Sequence, residues 1–209
     1  MLLRFAAISD IHYGPKAFFR GKLRKLSHEA PALLQDFVAE MNDAVRPDLV
    51  FALGDLIEDE SQQADSVRYQ RCVDELRKLA CPLRLVVGNH DTINLSDDQV
   101  QNAWPERSPL HYRFSFEGVD FVVLRTTERR DRDVRLEVEQ VRWLQEQLTE
   151  CVGPVVVVMH HSAADQTLTG NPWFENAQHL ALIENRRELR RVIASSGKVR
   201  LVLNGHLHW

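Results

Sequence analysis

Apolar β-type runs alternate with stretches of helical period along this chain, and each run stops at a cluster of polar side chains. The first, Leu2 to Ser9, ends in Ser9-Asp10-Ile11-His12. A strand is therefore predicted to hand Asp10 and His12 to its carboxyl end, where an i, i+2 pair in extended chain points to one side. Leu49 to Leu53 stops at Gly54 and delivers Asp55 onto a loop. Leu83 to Val87 empties into Gly88-Asn89-His90-Asp91, Val155 to Met159 into His160-His161, and Val199 to Leu203 into Asn204-Gly205-His206-Leu207-His208.

Between these runs lie helices. Ala32 to Val45 carries Leu34, Phe37, Val38 and Met41 at helical spacing until Pro47 ends it, and Ser66 to Leu79 repeats the pattern until Pro82. Helices between successive strands predict an α/β arrangement with the strand carboxyl ends aligned. From Asn94 the texture changes. Ser96 to Trp104 predicts a short helix, and His111 to Phe116 and Val119 to Leu124 flank Glu117-Gly118 as a β-hairpin of a second sheet. Glu128 to Arg135 reads as a solvated charged loop, Val138 to Leu148 as a helix, Ser162 to His179 as a loop, and Leu180 to Ile193 as a helix with a basic face. The polar loop Tyr13 to Glu29 carries Lys16, Arg20, Lys22, Arg24, Lys25 and His28. It reads equally as a receiver for a phosphate-bearing substrate and as a solvated linker.

With 209 residues and 44% apolar side chains, the chain has enough for a sizeable core, and no repeat or linker divides it, so 1–209 is expected to be a single domain. The net charge of -4 gives no global pull towards nucleic acid or an anionic membrane, which leaves a small molecule as the expected partner. No apolar run reaches membrane-spanning length, and the N-terminus lacks the ordered segments of a signal peptide. Cys72, Cys81 and Cys151 are odd in number and scattered, as expected of reduced packing thiols in a cytoplasmic protein. Nothing in the sequence sets an oligomeric state.

The chemistry lies at the strand ends. A single Asp-x-His or Gly-Asp is most often a plain turn, but six of the nine histidines directly follow an apolar β-run. Imidazoles, carboxylates and one amide oxygen, without a thiolate, suit manganese, iron or zinc. The ligands are too many for one ion. Two ions about 3.5–4 Å apart need a bridging carboxylate, and Asp55, a lone carboxylate midway through the set, is the natural bridge.

Asp10-Ile11-His12, Gly54-Asp55, Gly88-Asn89-His90-Asp91, His160 and Gly205-His206-Leu207-His208 match, in order, the signature of the calcineurin-like metallophosphoesterases. The resemblance spans nearly the whole chain. It implies an α/β fold of two mixed β-sheets packed face to face and flanked by helices, with two divalent or trivalent metal ions, manganese or iron first and zinc as the further option. It implies one ion held by Asp10, His12, Asp55 and His208 and the other by Asp55, Asn89, His160 and His206. His90 would face the substrate unligated and protonate the leaving oxygen or stabilise phosphoryl charge. Family members place an acid three residues after the bridging Asp to orient this histidine. That position is Glu58 here, and Asp91, beside His90, is the other candidate. The implied reaction is in-line attack of a metal-bridging hydroxide on a phosphoester.

Within the family, the compact size, the His160-His161 pair, the helix around Trp143-Leu144 and the Gly-His-Leu-His ending are most similar to class III cyclic nucleotide phosphodiesterases and related glycerophosphodiesterases. Two stretches depart from those relatives: Ser162-Ala163-Ala164 stands where they carry prolines, and Arg125-Thr126-Thr127 where they carry an acid. His161 either touches substrate or packs. Relatives continue past the last histidine with strands that close the second sheet, so a chain stopping at Trp209 is expected to have lost a tail or to borrow that edge. The expected activity is hydrolysis of a small-molecule phosphodiester. A phosphomonoesterase, nucleotide-sugar pyrophosphatase, nuclease or protein phosphatase are the alternatives, and a non-catalytic scaffold would show broken ligands, of which there are none.

Overall fold

A computed structural model of the chain describes residues 3–19, 21–129 and 132–208. Leu2, Arg20 and Trp209, as well as residues 130 and 131 of the charge run, lie outside the described residues. The chain divides into two units, Met1–Pro109 and Leu110–Trp209.

In the first unit, β1 (Phe5–Ile8) leads through a short hairpin of β2 (Phe18–Phe19) and β3 (Lys22–Leu23) to α1 (Ala30–Glu40), β4 (Leu49–Ala52), α2 (Gln62–Leu76), β5 (Leu83–Leu85) and α3 (Asp97–Ala103). The sheet has the order β1-β4-β5 with both pairings parallel. All four residues of β4 are buried, as its unbroken apolar run requires of a central parallel strand. The hairpin inside the polar loop is absent from the sequence pattern. The end of the first helix also differs from its periodicity: Met41–Val45 winds as a π-helical turn and stops at Arg46, whose φ is 47°. α2 begins ahead of its apolar face because the Ser61 hydroxyl accepts from Ala64 N at 3.3 Å and caps the extra turn.

The second unit begins with the antiparallel pair β6 (Tyr112–Phe116) and β7 (Val119–Val123). It continues through β8 (Thr127–Arg129), β9 (Asp133–Arg135), α4 (Val138–Glu150), β10 (Val155–Val158), α5 (Gln178–Ala181), α6 (Arg186–Ser196) and β11 (Val199–Leu203). Its sheet has the order β11-β10-β7-β6 and is mixed, since β7, β10 and β11 are parallel. The molecule is thus an α/β protein with several sheets flanked by helices.

Two sequence expectations change in this unit. The run Glu128 to Arg135 is a hairpin rather than a solvated loop, because Val134 is fully buried and Arg129 Nε meets Asp133 Oδ1 at 2.7 Å across the pair. The helix expected over Leu180 to Ile193 is broken. Leu182 bridges Ser162 and Ile183 bridges Val134 in parallel, with Ile183 N donating to Ser162 O at 3.0 Å. Cys72 and Cys151 are buried thiols. Among the described residues no helix is long and apolar enough to cross a membrane.

Candidate functional site

In the first unit, the chain beyond β1 runs parallel to the chain beyond β4. Asp10 N donates to Gly54 O at 3.1 Å, His12 N to Asp55 O at 2.9 Å, Tyr13 N to Leu56 O at 2.9 Å, and Glu58 N to Tyr13 O at 3.1 Å. This ladder brings the Asp10-His12 loop and the Asp55 loop together: His12 Nε2 lies 3.8 Å from Asp10 Oδ1 and 3.7 Å from Asp55 Oδ2. The other oxygen of Asp55 accepts from His90 N at 2.9 Å. Gly88 lies so close that a Cβ there would be 2.1 Å from Asp55 Oδ1, which explains why no side chain stands at this position. Gly88→Ala is therefore expected to push the Asp55 carboxylate aside and weaken metal binding by about 10- to 100-fold, the usual loss when a group that orients a metal ligand is changed, as read by metal titration. Wild-type affinity in that variant would mean that the Asp55 carboxylate tolerates displacement.

Glu58 and Asp91 are the acids expected to orient His90, but the hydrogen bond at its Nδ1 is to Asp59, while a Glu58 oxygen lies within 4.8 Å of a ring nitrogen. The wholly buried Asp91 carboxylate accepts from the backbone of Gly88 and Asp55 at 2.9 Å each and of Leu56 at 2.8 Å, tying the loop after β5 to the loop after β4. The hydrogen-bond partner of His90 Nδ1 is Asp59 Oδ1 at 2.5 Å. Glu58 instead accepts from Lys25 Nζ at 2.8 Å and pairs with Arg24 Nη1 at 3.0 Å and His12 Nδ1 at 3.0 Å. Burial pushes the His90 imidazole down, but its bond to Asp59 and the charge of Asp55 outweigh that, so its pKa is raised. The same bond holds Asp59 below the usual carboxylate range. For His12 burial dominates and lowers the pKa.

In the second unit, β10 and β11 deliver a histidine cluster. His160, His161 and His206 are all buried, with ring centroids 4.8 Å apart for His160 and His161, 5.1 Å for His160 and His206, and 4.1 Å for His161 and His206. Gly205 N donates to His160 O at 3.0 Å and fixes the two loops to each other. His206 Nε2 meets Leu180 O at 2.9 Å, so its proton sits there and Nδ1 carries the lone pair. His161 Nδ1 is 2.7 Å from Thr126 Oγ1, an interaction that nothing in the sequence signalled. His208 is exposed, its ring 6.2 Å from that of Trp173.

Backbone strain marks these positions. Of the seven non-glycine residues with positive φ among the described residues, five are Asp10, His12, Asp55, His206 and His208, all in the expected ligand set. Left-handed backbone costs of order 1–3 kcal/mol per residue and gathers at functional sites. The donors also fit metal: Asn89 Oδ1 is buried and has no hydrogen-bond partner, as suits an oxygen kept for a cation. His160, His161 and His206 each offer a ring nitrogen within 4.8 Å of the others. Sequence reasoning missed Asp59, whose one signal was its place in an acidic run after Asp55.

Residues 3–209 match the calcineurin-like phosphoesterase family. A probable cyclic nucleotide phosphodiesterase of Synechococcus sp. is 28% identical over 210 residues, covering 100% of this chain and 74% of that protein. Another, from Psychrobacter arcticus, is 20% identical over 176 residues, covering 80% of this chain but only 59% of its own length. In fold the chain is similar to a dimetal phosphatase from Danio rerio, with a TM-score of 0.73 at 18% identity over 99% of this chain and 82% of that one. The full span of the family match and the strained Asp and His positions lead to one assignment: the chain belongs to the calcineurin-like phosphoesterase family and is a phosphoester hydrolase.

Proposed function

We propose that the chain is a dinuclear metal-dependent phosphodiesterase acting on a small-molecule phosphodiester of the cyclic nucleotide or glycerophosphodiester class. The observation that carries the metal part is the set of ligand-type residues in left-handed backbone, together with the partnerless Asn89 oxygen. The names of the curated relatives favour the diester. Asp10, His12, Asp55 and His208 would hold one ion and Asp55, Asn89, His160 and His206 the other, with manganese or iron the best match to these donors and zinc next. When bound, the ions would polarise a phosphoryl oxygen and lower the pKa of a water. His90 would give a proton from Nε2 to the leaving oxygen, while Asp59 holds Nδ1 and keeps the ring aimed. A cytoplasmic location belongs to the same reading and is supported by the scattered thiols.

The test is hydrolysis of bis(p-nitrophenyl) phosphate against the mono-ester, with manganese and then after complete chelation. Faster diester turnover that disappears with chelator is expected; activity that survives metal removal would sink the dinuclear reading. Preference for the mono-ester would move the substrate class to phosphomonoesters. His90→Ala should lower turnover by about 10²-fold, the usual scale of a general acid, with metal content unchanged. Loss of metal in that variant would make His90 a ligand instead.

A further inference from the structure

We propose that Glu58 is a positioning residue for the metal ligand His12, taking the proton of Nδ1 and leaving the lone pair of Nε2 for the cation. The inference rests on the metal reading above and deepens it. A neutral imidazole has one N–H and one lone pair, and the partner of one nitrogen decides the role of the other. At His12 both nitrogens lie near Lys25, but their carboxylate neighbours differ. Nδ1 is 3.0 Å from Glu58 Oε2, within hydrogen-bond range, whereas Nε2 faces Asp10 and Asp55 at 3.8 and 3.7 Å, too far for a hydrogen bond to either. That leaves Nε2 beside the two carboxylates proposed to share its ion.

The fold places Glu58 for this. Its backbone N donates to Tyr13 O at 3.1 Å, and its Cβ lies only 2.6 Å from where a Cβ on Gly14 would stand, so the absence of a side chain at residue 14 lets the acid approach. Glu58 is 7% exposed, and its charge is met by Arg24 at 3.0 Å and Lys25 at 2.8 Å from the basic loop. The Tyr13 to Glu29 loop thus braces a ligand from behind. Lys25 Nζ also lies 3.1 and 3.2 Å from the two ring nitrogens. An ammonium only donates, so with the His12 proton on Nδ1 Lys25 meets the Nε2 lone pair and a cation there would displace it, whereas a bond from Lys25 to Nδ1 would put the proton on Nε2 and close that nitrogen to metal.

The experiment compares wild type, Glu58→Ala and Glu58→Gln by manganese titration with bound-metal analysis, and reads the His12 tautomer by nitrogen-15 NMR of the metal-free and zinc-loaded wild-type protein. Glu58→Ala should weaken one of two ions by about 10- to 100-fold and spare the other. Glu58→Gln, which keeps an acceptor oxygen without the charge, should retain most of the affinity, and the NMR should place the His12 proton on Nδ1. Equal losses in Ala and Gln would overturn the inference, because Glu58 would then be only a counter-charge for Arg24 and Lys25. So would wild-type affinity in both, or a proton on Nε2 in the metal-free protein. If Glu58→Ala fails to fold, the Gln variant and the wild-type tautomer decide alone. Wild type that takes up no metal would overturn the metal reading with it, whereas two ions bound equally in all three proteins would overturn this inference only.

Discussion

Asp55→Asn is expected to lower phosphodiester turnover by about 10³-fold or more and to release both metal ions together. The magnitude follows from the several kcal/mol that metal charge stabilisation contributes to a transition state, at 1.36 kcal/mol per tenfold. The residue is 1% exposed, and one of its oxygens already accepts from His90 N at 2.9 Å. An amide keeps the shape but presents no anion to be shared, and its NH2 group must face either the His90 N–H or a cation. Metal analysis should therefore fall from two ions towards none, whereas His12→Ala or His160→Ala should lose one ion first. An Asp55→Asn protein that retains both ions and its activity would remove Asp55 from the bridge.

Asp91→Ala is expected to act on stability, with a loss on the order of 4 kcal/mol, because it strands three buried backbone N–H groups at once. Those groups, on Gly88, Asp55 and Leu56, converge on one carboxylate at 2.8 to 2.9 Å, and a fourth, Ile57 N, reaches it at 3.4 Å. Asp91→Asn should lose less, since the oxygen facing Leu56 survives while an NH2 group meets the donors of Gly88 and Asp55. Denaturant unfolding of the metal-free proteins separates the two variants. If Asp91→Ala unfolds like wild type and loses only turnover, Asp91 works on His90 after all.

The strand ends were legible in the sequence because parallel strands buried on both faces are written as unbroken apolar runs, and metal-capable side chains follow those runs directly. The partner of His90 was not. Glu58 and Asp59 are neighbours with the same chemistry, and only the backbone ladder decides that Glu58 comes beside Gly14 and His12 while Asp59 meets His90. Local pattern misled for a related reason at Leu182 and Ile183, whose apolar side chains serve a helix face or a β-bridge equally well. At Arg129 and Asp133 the charges hid a strand pair, because an ion pair across a hairpin resembles a solvated run when read along the chain. The role of the basic loop is not written along the chain, because the buried acid that Arg24 and Lys25 meet, Glu58, lies 33 residues beyond Lys25.

The hydrogen bonds from Asp10, His12 and Tyr13 to Gly54, Asp55 and Leu56 continue the pairing of β1 and β4 past the ends of both strands. Fixing one residue's backbone costs roughly 1–2 kcal/mol of conformational entropy. For these loops that cost falls in folding, together with the sheet, before any cation arrives. An ion that meets them has little left to order, so its affinity is set by charge and donor geometry, much as a rigid chelator outbinds a flexible one with the same groups.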